Sequence, residues 1–207
     1  MALILSIETG TEVCSVALAK DGEMISLRES SGEGRAHANH LALYIEEVLR
    51  GNDMDADELD AVAVGGGPGS YTGLRIGVST AKGMCYALGK PLIAVDSLQA
   101  LASIAMEEVQ AGIVHIGNPE TAVLAPMIDA RRMEVYTRLF DTGLRPDRGA
   151  YPDRRELCRH SGGGARTAGL RERGAEVCRA VARGDFRADR LVGPRAGGAG
   201  RGGVSGG

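Results

Sequence analysis

The 207-residue chain contains no tryptophan, two phenylalanines and five tyrosines. A surface that grips single-stranded nucleic acid by stacking bases on rings is therefore not expected in its folded part. Its four cysteines, Cys14, Cys85, Cys158 and Cys178, lack the paired spacing of a zinc site and read as reduced structural thiols. No apolar run is long enough to cross a bilayer, and no secretory leader is visible. The expectation is a cytoplasmic protein of one or two small domains with no membrane contact.

Positive charge is scarce in most of the chain and concentrated at its end. Residues 1–144 carry 10 Lys or Arg against 20 Asp or Glu, whereas residues 145–207 carry 14 Arg, no Lys and 7 acids. An acidic first part makes a poor nucleic-acid binder on its own. The last 63 residues also hold 15 of the 31 glycines and almost no periodic apolar pattern. Such a segment cannot bury enough apolar surface to offset its ordering entropy. It reads as disordered, or as the product of a slipped reading frame in a GC-rich coding sequence. A lineage-specific basic extension and an arginine-glycine segment that contacts RNA phosphates are the competing readings.

What is present in the first 108 residues is a regular alternation. Apolar runs at 3–7, 13–19 and 24–28 predict three strands, the last two joined by the Asp21-Gly22 hairpin turn. Residues 40–50 place Leu41, Tyr44, Ile45 and Val48 on one helical face. A strand at 59–64, a helix at 74–88, a strand at 91–95 and a helix at 97–108 follow. The order βββαβαβα is that of the first lobe of an α/β protein with the ribonuclease H/actin-like (ASKHA) fold. Apolar runs at 123–128 and 134–140 predict a hairpin that opens a second, incomplete lobe. The expected organisation is thus 1–108 first lobe, 109–144 start of the second, and 145–207 tail.

The densest signal is the glycine turn from Gly65 to Arg75, set between a strand and a helix. Glycines allow close backbone approach, and the free N–H groups of a helix's first turn attract anions. The turn lacks the Lys-Ser/Thr of a P-loop and does not satisfy Gly-x-Gly-x-x-Gly. A tight turn with a helix cap and no ligand is the alternative. In the actin-like plan the turn after the first strand of each lobe reaches the cleft. The candidate nucleotide or anion ligands are therefore Glu8, Thr9, Gly67, Gly69, Ser70, Thr72, Gly73 and Asp129.

Three blocks of sequence carry a resemblance to a known family. They are Ile4-Leu5-Ser6-Ile7-Glu8-Thr9 with Val13-Cys14-Ser15-Val16-Ala17-Leu18, then Gly67-Pro68-Gly69-Ser70-Tyr71-Thr72-Gly73-Leu74-Arg75-Ile76-Gly77, then Ile128-Asp129-Ala130-Arg131-Arg132-Met133-Glu134-Val135-Tyr136. With these the first 143 residues or so resemble the TsaB (YeaZ) family, the non-catalytic paralogues of the TsaD/Kae1 threonylcarbamoyltransferases. The resemblance implies a scaffold subunit with no catalytic residue of its own. It would pair with TsaD and TsaE to install threonylcarbamoyl on the adenosine beside the tRNA anticodon. It implies that tRNA is met indirectly and that no cofactor is intrinsic, and it leaves open whether ATP or ADP binds in the cleft or at the partner interface and whether the chain self-associates as a homodimer without TsaD. Glu8-Thr9-Gly10 departs from the family's Asp-Thr-Ser, lengthening the carboxylate and losing a hydroxyl. The metal helix of the catalytic relatives, His-x-x-x-His, is replaced by His37 and His40 at a spacing of three, so no metal is expected.

If the chain pairs as the family does, the two first-lobe helices would pack on the equivalent pair of TsaD. The interface candidates are Leu41, Tyr44, Ile45 and Val48, and a seam of Leu74, Gly77, Val78, Ala81, Cys85 and Leu88. The alternative for this seam is burial against the chain's own sheet. The alternative function is an actin-like phosphotransferase or ATPase with Glu8 and Asp129 as the magnesium-binding pair. A peptidase using Ser70 or Ser79 has no His and Asp arrangement to support it.

Overall fold

The computed structural model describes residues 1–30, 37–118, 120, 122–131, 134–146 and 191–192. Strands β1 (Leu3–Glu8), β2 (Ser15–Lys20) and β3 (Glu23–Glu29) form an antiparallel meander. Between β2 and β3, Asp21 and Gly22 both take positive φ, 53° and 85°, the backbone that a two-residue hairpin turn requires. Helix α1 (His37–Arg50) leads through a 3-10 turn at Ala56–Glu58 to β4 (Ala61–Gly65), which pairs parallel to β1. Then come α2 (Tyr71–Leu88), β5 (Leu92–Val95) parallel to β4, and α3 (Ser97–Gln110). The order through α3 is the one the apolar pattern predicts.

Alternation along the strands decides which layer each helix joins. Leu3, Leu5 and Ile7 of β1 and Val62 and Val64 of β4 share one core with Leu41, Ile45, Val48 and Leu49 of α1 and with Ala81 and Cys85 of α2. The intervening Ile4 and Ala63 belong to a second core, built on Leu98, Leu101 and Ile104 of α3. A sheet with apolar side chains at successive positions is covered on both faces, as its parallel strands demand. Local devices bound α2 and α3. Asp96 caps α3 by accepting from Leu98 N–H (2.9 Å) and Gln99 N–H (3.0 Å). Gly89, at φ 66°, ends α2 in the left-handed conformation.

Strands β6 (Met127–Arg131) and β7 (Glu134–Thr137) form a separate antiparallel hairpin. On the slipped-frame reading of the tail, residues 123–140 would be left as an orphan hairpin of marginal stability. The structure differs, because Ile128 and Phe140 are buried in the same core as α3. Phe140 exchanges both backbone hydrogen bonds with Leu124 at 2.9 Å. The hairpin is thereby fastened to the first lobe.

A second difference lies in the tail. Leu191–Val192 forms a two-residue strand, β8, antiparallel to β5, and completes a six-stranded sheet in the order β3-β2-β1-β4-β5-β8. Composition alone did not predict it, since a two-residue apolar pair has no period to read. The expectations for residues 147–190 and 193–207 lie outside the described residues.

Candidate functional site

Two loops meet at the carboxyl ends of β1 and β4. The first turns through Thr9 and Gly10 towards β2, and the second is the glycine turn that enters α2. The N–H of Ser70 donates to the carbonyl of Gly10 (2.6 Å), and Thr9 Oγ1 donates to the carbonyl of Gly73 (2.8 Å) in buried surroundings. A Cβ on Gly73 would overlap the Thr9 carbonyl oxygen, and one on Gly77 would overlap Thr9 Oγ1. Helix α2 therefore lies against Thr9 and Gly10 more closely than any side chain at these two positions would permit.

This docking accounts for most of the predicted anion ligands. Ser70 Oγ accepts from Gly73 N–H (3.4 Å) as the N-cap of α2. Gly69 faces the Gly10 carbonyl, which a Cβ there would approach to 2.5 Å. Gly67, at φ 90°, is buried, and its carbonyl accepts from Ser97 N–H (2.9 Å). Thr72 stays on the surface of the first turn. The cradle expected around an anion is thus largely filled by carbonyl and hydroxyl oxygens of the chain's own β1–β2 turn. The physical reason is that the glycines admit a neighbouring backbone as readily as a phosphate.

Glu8 is 1% exposed. Its Oε1 accepts from Gly10 N–H (2.5 Å), while Oε2 is buried without a hydrogen-bond partner. A Cβ on Gly65 would overlap this carboxyl, so Glu8 occupies the space that the glycine leaves open. Burial pushes its carboxyl above the usual carboxylate range, against the opposing pull of the Gly10 and Thr9 N–H groups. The neighbouring buried thiol of Cys14 is pushed up to about 11, by burial first and by the charge of Glu8 second. Asp129, by contrast, is exposed on β6. The two carboxylates of the magnesium-pair alternative thus stand in opposite environments. Half-buried His40 packs its ring against Tyr44, 5.5 Å between centroids.

The interface candidates divide in the same way. Leu41, Ile45, Val48, Ala81 and Cys85 are buried in the chain's own core, with Tyr44, Val78 and Leu88 packed against it. Gly77 is buried on Thr9, and Leu74 is half-buried. This seam faces the sheet, the alternative that the sequence left open for it, and its apolar period marks the face the helix buries at home. The outward face of α2 carries Tyr71, Arg75, Lys82, Gly83 and Tyr86 instead, with Tyr71 74% and Tyr86 92% exposed. The Arg75 guanidinium lies 5.4 Å from the centroid of the Tyr71 ring. Gly83 has nothing within 4 Å of the position a Cβ would take. On α1, Leu43 is 47% exposed. The sequence signal for this face was available, because Tyr71, Arg75, Lys82 and Tyr86 recur at steps of four, seven and four. Eighteen residues without one acid, in an acidic lobe, were a second cue.

A three-stranded meander followed by alternating helices and strands around a mixed sheet, with a glycine turn leading into α2, defines an actin-like (ASKHA) α/β lobe. The model of the family TsaD: tRNA N6-adenosine threonylcarbamoyltransferase matches residues 31–143. "tRNA threonylcarbamoyladenosine biosynthesis protein TsaB" of Haemophilus influenzae is 36% identical over 155 residues, which cover 74% of this chain and 61% of that protein. The protein of the same name in Escherichia coli is 37% identical over 133 residues, covering 64% of this chain and 52% of that protein. Among solved structures, YeaZ from Pseudomonas aeruginosa aligns with a TM-score of 0.57 at 32% identity, covering 68% of this chain and 61% of that one. The chain belongs to the TsaB/YeaZ family, and it spans between about half and three fifths of the length of these relatives.

Two outcomes follow from the geometry. Gly73→Ala should destabilise the protein by roughly 1–3 kcal/mol, the cost of forcing atoms into a packed contact. Gly83→Ala, in open space on the same helix, should stabilise it by up to about 1 kcal/mol. Urea unfolding of both variants checks the pair, and equal midpoints would contradict the docking. Glu8→Gln keeps the acceptor for Gly10 N–H and removes the titration. Because the folded carboxyl has its pKa raised above the ordinary value of 4.5, the stability it contributes is full below that value and is lost as pH rises through the folded pKa. Glu8→Gln should therefore gain in melting temperature over the wild type between pH 5 and 8, with the difference shrinking below pH 4.5. A difference that stays constant with pH would show that Glu8 is charged in its buried position.

Proposed function

We propose that this chain is a non-catalytic subunit in the threonylcarbamoyladenosine modification of tRNA, and that it pairs with a TsaD-type partner through the outward face of α2 and the exposed Leu43 of α1. The observation that carries this reading is the exposed Tyr71, Arg75, Lys82, Gly83 and Tyr86 on a helix that contains no acid. Large rings beside an open glycine offer a partner helix both anchoring area and close approach. The names of the relatives supply the pathway, and the match to the TsaD family model supplies the reason for a paired architecture.

The division of labour follows from the charges and the turn. With twice as many acids as bases over residues 1–144, the lobe leaves tRNA to its partners, TsaD and the ATPase TsaE. ATP or ADP belongs at the partner interface, because Ser70 N–H of the glycine turn is committed to Gly10 and Gly73 N–H to the α2 cap. In the absence of TsaD, a second copy would meet the same face. A cytoplasmic location accords with that chemistry, and among the described residues no helix is long and apolar enough to cross a membrane. The phosphotransferase alternative loses its main support with Glu8 buried and raised in pKa.

Size exclusion with light scattering, on the chain mixed with TsaD from the same organism, tests the proposal. Tyr86→Ala should weaken the complex by about tenfold or more, the loss expected of an anchoring tyrosine, and Gly83→Trp should abolish it without lowering the melting temperature of the free chain. Wild-type affinity in both variants would place the interface elsewhere.

A further inference from the structure

Asp96 stands at a crossing of contacts that neither the docking of α2 nor the proposed pairing explains. One carboxylate oxygen, Oδ1, caps α3 through Leu98 and Gln99. The other, Oδ2, accepts from Arg138 Nη1 at 2.6 Å, an ion pair with side chains 27% and 47% exposed respectively. Arg138 follows directly on β7, so this contact ties the hairpin to the start of α3. The next residue, Ser97, donates its N–H to the Gly67 carbonyl (2.9 Å), and Gly66 N–H donates to the Val95 carbonyl (2.7 Å). Hydrogen bonds therefore run without a break from the hairpin, through the first residues of α3, to the glycine turn from which α2 begins.

We propose that the Asp96–Arg138 pair is a strut that couples the second-lobe hairpin to the glycine turn, so that the position of the hairpin biases the start of α2, where Tyr71 and Arg75 are exposed. The anchors on either side favour a strut over a loose surface pair. On the hairpin side Phe140 and Ile128 are fixed in the α3 core. On the turn side Ser70 is fixed to Gly10. A short bond between two anchored bodies transmits displacement, whereas a pair between free side chains is absorbed by rotamer motion. The inference stands independently of partner binding, because it is read in the free chain.

Amide hydrogen exchange on the full chain tests it with two variants. Arg138→Gln removes the charge and shortens the reach. Asp96→Asn keeps an N-cap acceptor for α3 but turns one acceptor of Arg138 into a donor. In both, exchange at Ser97 and Gly66 should rise about 3- to 10-fold together with that at Leu124 and Phe140, while Leu5 and Leu18 in the central strands stay unchanged. A rise confined to Leu124 and Phe140 would overturn the proposal, because the coupling would stop at α3. So would unchanged exchange at all four amides, or an equal rise at Leu5 that signals general unfolding in both variants.

Discussion

The placement of α2 rests on one close approach, the seating of Gly73 on the Thr9 main chain and of Gly77 on the Thr9 side chain. It is closed by the Thr9 hydroxyl on one side and by the Ser70 N–H on the other. Packing at this distance leaves no room for a methyl group, so the start of the helix is held close to Thr9 and its rotation is set by the residues that face Thr9. The buried seam of Ala81 and Cys85 and the outward face of Tyr71, Arg75, Lys82 and Tyr86 both follow from that rotation. Glu8 completes the joint from beneath, filling the space over Gly65 at the cost of a buried carboxyl.

The parts of this architecture that could be read from sequence are those with a period. β1 shows its two-residue alternation in Leu3, Leu5 and Ile7, α1 shows its helical step in Leu41, Ile45 and Val48, and Asp21-Gly22 announces a turn whose dihedrals the structure bears out. The site was less legible for a physical reason. Glycines in a strand-to-helix turn signal close approach but not what approaches, and here it is the backbone of Thr9 and Gly10. In the same way, the apolar stripe of α2 showed that one face must be buried without saying against what. The outward face carries polar, small and aromatic residues together, and no single hydropathy pattern marks it. Contacts made by lone residues, such as Arg138 on Asp96 and Leu191 opposite Ile93, have no sequence signature at all.

The relatives give these local facts a setting. The family-model match ends at residue 143, soon after the hairpin, and residues 145–207 are Arg- and Gly-rich with the opposite net charge to residues 1–144. The fastened hairpin and the acid-free helix facing outward are the features on which the proposed pairing rests.

The most direct test of the account is to co-purify TsaD from the same organism with the full chain and, separately, with a chain ending at Leu144, and to determine the mass of each complex by light scattering. The account predicts a complex of one chain with one TsaD in both cases, because the α2 face lies wholly within the first lobe. A complex with the full chain alone would place the contact beyond the hairpin, and a complex with neither would contradict the pairing role.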